Sequence, residues 1–171
     1  MKAKKRLNAL LMASLILMVA AAVGFAQRNF ILQSASKPEV KMSLSGGVER
    51  DSKLIALDKS TVVKPGEVLT WTIDAVNTGK APALAYKAVA QIPRGTEFVA
   101  DSAQVEGAKA LFSIDGGKSF SPQPMIEQKE ADGSVKRVPA PVSMYTDVRY
   151  EWANPVAEGA KVSASYKVRV K

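Results

Sequence analysis

Alternation of apolar and polar side chains is the dominant pattern along this chain. In the clearest segment, residues 69–75, leucine, tryptophan, isoleucine and alanine share one parity, with threonines and an aspartate between them. A period of two is typical of a strand with one buried face. The same period recurs over residues 84–92, 148–152 and 162–170, and no segment after the first 26 residues has a helical period. The pattern therefore predicts an all-β domain.

Turn residues divide the remainder into shorter strands. Pro65-Gly66 precedes the strand at 69–75 and Asn77-Thr78-Gly79 follows it, so we expect this strand to neighbour the one at 84–92 across a short loop. An earlier alternating strand at 40–44 is expected to end at Gly46-Gly47. Further short strands are expected at residues 53–57, 97–105 and 109–114.

Two of these turn-and-strand segments carry a resemblance to a known family. Residues 64–79 read Lys-Pro-Gly-Glu, an alternating strand, then Asn-Thr-Gly, and residues 92–99 read Ile-Pro-Arg-Gly-Thr-Glu-Phe-Val. This unit resembles the repeat called domain of unknown function eleven of bacterial envelope and surface proteins, over residues 38–171. Gln91 stands where members of that family often have an acidic residue.

The resemblance implies an immunoglobulin-like fold, usually present in tandem copies within adhesive or structural surface proteins, and it brings no catalytic residues. Together with the strand pattern, it leads us to expect an immunoglobulin-like β-sandwich of seven to nine mostly antiparallel strands.

The first 26 residues have the three parts of a helical signal peptide. Four basic side chains at positions 2, 4, 5 and 6 precede an apolar run, residues 9–23, that only Ser14 interrupts. Gly24 and Ala26 are the small residues that a signal peptidase needs, so we expect cleavage between Ala26 and Gln27, with the three alanines at 20–22 as a second choice. The alternative is an uncleaved anchor over residues 9–26, close to the lower limit of about 17 residues that span a bilayer.

The expected organisation is a signal peptide at 1–26, a polar linker at 27–37 and one domain at 38–171. Within that domain, residues 121–142 contain four prolines around a charged segment with Asp132-Gly133 at its centre. We interpret this stretch as an inserted hairpin or long loop. The predicted location is periplasmic or extracellular, and the alternative is the inner membrane, anchored through residues 9–26.

Charge and cysteine content narrow the classes of partner. The chain has 24 basic and 16 acidic side chains, and four of the basic ones lie in the signal segment. The remaining basic residues are scattered, without a basic helix or an aromatic-basic motif, so no nucleic-acid partner is predicted. Cysteine is absent, so neither disulfides nor a lipidated cysteine are available, and only an uncleaved signal segment would provide a membrane anchor.

The chain also has no histidine, and the two missing residue types remove the usual zinc ligands, the histidine base and the thiol nucleophile. No catalytic residue, metal ligand or cofactor site is therefore predicted. A hydrolase that uses two carboxylates is the remaining enzymatic alternative, but no pair of acidic residues stands out.

One motif has a recognisable shape. Residues 113–120 read Ser-Ile-Asp-Gly-Gly-Lys-Ser-Phe, which looks like the Asp-box hairpin of sialidase-type propellers. A single copy cannot build a propeller. We interpret Asp115 and Gly117 as structural turn residues, with the carboxylate accepting backbone N–H bonds and Phe120 packing beneath.

Aromatic side chains are the other candidates for binding. Most lie on the apolar parity of strands, so we predict that they belong to the core. Tyr145 lies outside an alternating strand and is the exception. The predicted core residues are Trp71, Ile73, Tyr150, Trp152 and Tyr166.

These features favour an exported, non-enzymatic module that contacts another envelope or surface protein. The expected contact surface is the insertion at 121–142, together with a charged outer strand face formed by Asp147, Arg149 and Glu151. Pairing of an edge strand with another chain is the alternative interface. The alternative function is a secreted or periplasmic carbohydrate-binding module.

Overall fold

The computed structural model describes residues 37–171, most of which form one compact unit, Pro38–Lys171. The predicted signal peptide, its cleavage site at Ala26 and Gln27, and the linker up to residue 36 lie outside the described residues. Within residues 37–171, no helix has the length and apolar character needed to cross a bilayer.

The described residues form eleven strands and one 3-10 turn, Val142–Met144, so the prediction of an all-β domain is confirmed. The number of strands exceeds the expected seven to nine because the insertion adds two and one further strand has only two residues. In chain order the strands are β1 (Val40–Arg50), β2 (Lys53–Ala56), β3 (Val68–Asn77), β4 (Lys87–Gln91), β5 (Thr96–Phe98), β6 (Gln104–Val105), β7 (Ala108–Ser113), β8 (Met125–Lys129), β9 (Val135–Pro139), β10 (Asp147–Trp152) and β11 (Lys161–Val170).

Every strand pair in this part of the chain is antiparallel. The larger sheet has the order β2-β1-β3-β11-β5, and β6 also pairs with β11. The smaller sheet has the order β4-β10-β7, and β8 and β9 form a separate ribbon. Because β3 and β11 are flanked on both sides over most of their length, they form the centre of the larger sheet.

Both sheets contribute to one hydrophobic core. The alternating parity of each strand places one set of side chains there, while the opposite face of β3 and β11 is rich in serine, threonine and lysine. We call the core-facing side of the larger sheet its inner face. The buried core residues are Val48, Leu69, Ile73, Ala88, Ala90, Ile92, Phe98, Val148, Tyr150, Trp152, Ala164, Tyr166 and Val168.

Two buried tyrosines join the sheets by hydrogen bonds to backbone carbonyls. The hydroxyl of Tyr150, from the smaller sheet, donates to Ser165 O of β11 at 2.7 Å. In the opposite direction, Tyr166 of β11 donates to Gln91 O of β4 at 2.9 Å. Since both phenol rings are fully buried, these bonds satisfy hydroxyls that would otherwise lose their hydration without compensation.

The expectation that the first strand ends at Gly46-Gly47 is wrong, because β1 continues through both glycines to Arg50. Neighbouring side chains occupy the space that side chains at these two positions would fill. A Cβ at Gly46 would lie 2.9 Å from the Trp71 ring, and one at Gly47 would lie 2.6 Å from the Leu54 side chain. The two glycines therefore mark close packing within the sheet instead of a turn.

The expected pairing of the strands at 69–75 and 84–92 is also wrong, because β3 and β4 belong to different sheets. The connection crosses from one sheet to the other. It includes Ala85, whose φ of 47° is positive, and Ala83, which pairs in an isolated bridge with Val156. Alternation identified both strands but did not determine their partners.

Candidate interaction surfaces

The insertion forms a two-stranded arm, which we define as residues 125–139. Its strands pair from Met125 opposite Pro139 to Lys129 opposite Val135. The tip is closed by Glu130, whose N–H donates to Ser134 O at 2.9 Å. Asp132 stabilises the turn by accepting hydrogen bonds from the N–H and hydroxyl of Ser134 at 2.8 and 2.6 Å.

The arm extends from the sheets without joining them. In the described part of the chain, β8 and β9 pair only with each other, and most of their side chains are exposed. At the base, Ala140 N–H donates to Pro124 O at 2.8 Å, and Ala140 is buried. Ile126 and Val138, which face each other, are half-buried near this base. The arm is therefore anchored at its base and open to solvent beyond it.

The Asp115 turn is built by hydrogen bonds within the motif, from Ser113 to Ser119. Asp115 Oδ1 accepts from the Ser113 hydroxyl at 2.7 Å and from Ser119 N–H at 2.9 Å, and its Oδ2 accepts from the Ser119 hydroxyl at 2.6 Å. These bonds, led by the one from the Ser119 hydroxyl, hold the pKa of Asp115 far below its usual range. Gly117 has a φ of 80°, a conformation that favours glycine. All of these contacts maintain the turn.

The same turn covers part of the outer face of the smaller sheet. Thr146 Oγ1 accepts a hydrogen bond from Gly116 N–H at 3.1 Å, and its own N–H donates to Ser113 O at 2.8 Å. A Cβ at Gly117 would lie 3.6 Å from Oδ2 of Asp147. The turn thus rests on the beginning of β10.

This arrangement corrects the expected charged outer face of β10. Asp147 is only 8% exposed, and its Oδ2 is buried without a hydrogen-bond partner. Arg149 is half-buried, with its guanidinium carbon 4.2 Å from the centre of the Phe120 ring. Glu151 is half-buried as well, so the charged face is less open to solvent than its sequence indicates.

The charged groups that remain are paired with each other. Glu151 Oε1 lies 2.8 Å from an Arg149 guanidinium nitrogen and 3.2 Å from Lys87 Nζ. Partly exposed ion pairs of this kind contribute about 0–1 kcal/mol each. Their main effect is to fix the side chains on this face, which leaves the arm as the more accessible of the two predicted surfaces.

The predicted core residues fall into two groups. Ile73, Tyr150, Trp152 and Tyr166 are buried, whereas Trp71 is partly buried and packs against the edge of the core. Among the described residues, the indole nitrogens of Trp71 and Trp152 have no hydrogen-bond partner. Every aromatic side chain in residues 37–171 is at least partly buried, so these rings do not form an open stacking platform.

One aromatic cluster lines a groove near the base of the arm. Tyr145 stacks on Phe112 at a centroid distance of 4.9 Å, and both rings contact Phe98. The groove beside them has a volume of about 370 Å³ and also includes Pro122 and Val142. Burial raises the pKa of Tyr145. The groove offers an aromatic surface to a small ring-shaped ligand.

Sequence analysis missed a structural asparagine. Asn77 is fully buried, and its Nδ2 donates to Ala81 O and Val156 O at 2.8 and 2.9 Å. Its Oδ1 accepts from the N–H groups of Glu39 and Gly79, both at 3.1 Å. In the sequence, an asparagine at the end of a strand and before Thr-Gly indicates a turn, but it does not show that the side chain is buried and bonded to four backbone groups.

A second missed feature is an open edge at the beginning of β1. Strand β2 covers β1 only from Gly47 to Arg50. In the described residues no strand lies beside the other part of that edge, Val40 to Ser45. Met42 and Leu44 on this segment are 52% and 50% exposed. The sequence pattern predicted a strand here, but it did not show that the smaller sheet leaves these two side chains uncovered.

Within residues 37–171, no three acidic, histidine or cysteine side chains are grouped so that they could hold a metal ion. No protein-family model and no curated protein matches the chain. The resemblance to domain of unknown function eleven therefore stays a prediction.

Proposed function

We propose that this chain is an exported, non-enzymatic module of immunoglobulin-like β-sandwich type that acts by contact with another protein of the cell envelope. The observation that carries the proposal is the arm, a ribbon whose two strands pair only with each other in the described residues. A projecting ribbon on a well-packed domain is a common way to present a binding surface. The export part of the proposal rests on the signal-peptide pattern of the first 26 residues.

The arm suits a contact with a polar protein surface. Glu127 lies opposite Arg137, Gln128 lies opposite Lys136, and the arm carries three acidic and three basic side chains. A surface of mixed sign does not attract a uniformly charged polymer strongly, but it can form complementary pairs with one protein partner. The two unpaired edges of the ribbon also offer backbone groups for strand addition.

The test uses the full chain in its native cells, with a photo-cross-linking residue at Lys136 on the arm and, as a control, at Lys59 in a loop of the main body. We expect a defined adduct from position 136 and none of the same mass from position 59. In a second variant an Asn-Gly turn joins Ile126 directly to Val138, which already face each other.

The shortened chain should keep its melting temperature and lose association with the cross-linked protein. Glu127→Arg combined with Arg137→Glu keeps the arm but exchanges two of its charges, so it should keep the melting temperature and weaken the association. Full association of the shortened chain would refute the role of the arm, and recovery of the protein from the cytoplasm starting at Met1 would refute export.

Carbohydrate binding is the second candidate, and the groove beside Tyr145 is the feature that favours it. The exposed part of this ring is the accessible edge of the aromatic cluster, and sugars stack on such rings. Binding of a glycan to the purified chain, lost in Tyr145→Ala while the melting temperature is maintained, would support this function. Absence of binding across a broad glycan array would oppose it.

A further inference from the structure

The open edge of β1 presents unpaired backbone groups in a regular row. Glu39 O accepts a hydrogen bond from Thr78 N–H on the side of β3, whereas Gly46 O accepts one from Leu57 N–H on the opposite side. Backbone groups of an antiparallel strand alternate between its two sides. Val40, Met42 and Leu44 have the parity of Gly46, so their N–H and C=O groups are directed away from β3, towards the open edge.

The same three residues carry apolar side chains on the inner face of the larger sheet. Met42 lies opposite Ala75 and Leu44 lies opposite Ile73, and both partners on β3 are buried. A groove of about 480 Å³ continues from Met42 across Ala75 to Val162 on β11. The open edge therefore combines free hydrogen-bonding groups with uncovered apolar surface, a combination that promotes pairing with another strand.

The edge of β4, at the border of the smaller sheet, differs. Its core-facing side chains, Ala88 and Ala90, are already buried at 2% and 5% exposure. An added strand there would gain hydrogen bonds but would cover little apolar surface. This contrast favours pairing at β1 over pairing at β4.

We propose that β1 pairs with β1 of a second copy of this chain, antiparallel and about a two-fold axis at Met42. In this register Met42 faces Met42 of the second copy, and Val40 faces its Leu44. The N–H and C=O groups of Val40, Met42 and Leu44 then form hydrogen bonds with those of the second copy. Every pair of facing side chains on the inner face is apolar. A strand that complements itself in this way satisfies the isologous contact of a two-fold dimer.

The outer face is compatible with the same register. Glu39 lies opposite Ser45 of the second copy, and Lys41 lies opposite its Ser43. Like charges directly opposite each other would destabilise the pair, and this register places none there. Within one copy Glu39 and Lys41 already form an ion pair at 3.8 Å. The two larger sheets become one continuous sheet with the inner faces on the same side.

The first test measures the mass of the full chain in solution over a range of concentrations. We expect a reversible monomer–dimer equilibrium. Met42→Lys should weaken dimerisation at least tenfold, because it places two ammonium groups opposite each other at the seam. Met42→Glu should act in the same way, and an equimolar mixture of the two variants should recover a heterodimer. Ser45→Lys, whose new charge faces Glu39 of the second copy, is the matched control and should not weaken dimerisation.

The second test uses the absence of cysteine from the natural sequence. Met42→Cys should form an intermolecular disulfide under mild oxidation, since Cα atoms of facing residues are about 5.5 Å apart. Ser45→Cys should not form this disulfide. In the proposed register residue 45 faces residue 39 of the second copy, so the two cysteines at position 45 would be six positions, roughly 20 Å, apart. Equal cross-linking at both positions would overturn the register.

A protein that stays monomeric up to its solubility limit would overturn the dimer. The proposal would also be overturned if Met42→Lys and Met42→Glu, shown by circular dichroism to be folded, each remained as dimeric as the natural chain. If the cysteine at position 42 instead links the monomer to a different envelope protein, the occupant of this edge is that protein and the proposal fails. None of these three results depends on the arm, so this proposal and the proposed function can fail separately.

Discussion

The six-membered ring of Trp71 lies against Gly46, where it would be 2.9 Å from a Cβ atom at that position. The two residues face each other across β3 and β1. This contact explains why a glycine occupies an extended strand, where it costs conformational entropy without needing a special φ angle. It also explains how a half-buried tryptophan remains ordered at the border of the core.

Gly46→Ala should lower the free energy of unfolding by about 1–3 kcal/mol, the usual cost of forcing an extra methyl group into a packed site. Chemical denaturation measures the change. Ser45→Ala, on the exposed face of the same strand, should change stability by less than about 0.5 kcal/mol. A Cβ at position 46 would also lie 2.9 Å from Leu57 Cδ1, so Trp71→Phe should relieve only the part of the cost that comes from the indole.

Asn77→Ala should destabilise the domain by about 3 kcal/mol, since it leaves several buried backbone groups without a partner. Asn77→Asp retains an acceptor for Glu39 and Gly79 but turns an oxygen towards the carbonyls of Ala81 and Val156. We expect its stability to recover partly at acidic pH, where the protonated carboxyl donates a hydrogen bond. Denaturant titrations at neutral and acidic pH measure both effects, and an Asp variant as stable as wild type at pH 7 would contradict this role.

Alkaline pH should unfold the domain through its buried phenols. Burial, and to a smaller extent the charge of Asp147, raises the pKa of Tyr166 from 10.0 to about 12, and burial raises the pKa of Tyr150 well above its usual value. Because the folded state holds these protons more tightly, the stability that they contribute is complete below pH 10. It is lost as the pH rises from there through about 12.

Tryptophan fluorescence and circular dichroism across this range measure the transition. Tyr166→Phe removes one ionisable group, so its stability should fall less steeply with pH even if it is lower at pH 8. An identical slope in the variant would show that other groups cause the alkaline transition.

Asp115→Ala should loosen the turn without abolishing the fold. The N–H groups of Lys118 and Ser119 lose their acceptor, so their amide exchange should accelerate while that of β11 stays slow. Hydrogen exchange followed by mass spectrometry or NMR gives the measurement. A variant with unchanged exchange that fails to bind a defined ligand would favour a binding role for this carboxylate.

The sequence predicted those strands in which apolar and polar side chains alternate clearly. β3, β10 and β11 alternate clearly because one face of each is buried, and the core assignment of Ile73, Tyr150 and Tyr166 follows from this alternation. The prediction of a turn at Gly46 and Gly47 was wrong because a Gly-Gly pair is compatible both with a turn and with a strand on which neighbouring side chains pack closely. Only the position of Trp71 and Leu54 distinguishes the two.

Candidate surfaces were harder to predict, because exposure is a property of the whole assembly of strands. The alternation of charged residues in β10 indicated an open charged face, yet the Asp115 turn and Phe120 cover Asp147 and part of Arg149. Conversely, Met42 and Leu44 had the pattern of core residues but lie where the smaller sheet does not reach. Strand parity gives the face of a side chain, whereas its burial depends on the extent of the opposite sheet.

Strand β11 lies between β3 and the short strands β5 and β6, although it follows all of them in the chain. During synthesis, the larger sheet therefore lacks a central member until the ribosome has passed Val170. Before that point β3 has an unpaired side, and the core lacks Tyr166 and Val168. The nascent chain thus cannot complete its native sheet before β11 has been synthesised. Under the proposed export, this late strand would delay folding until the chain has crossed the membrane.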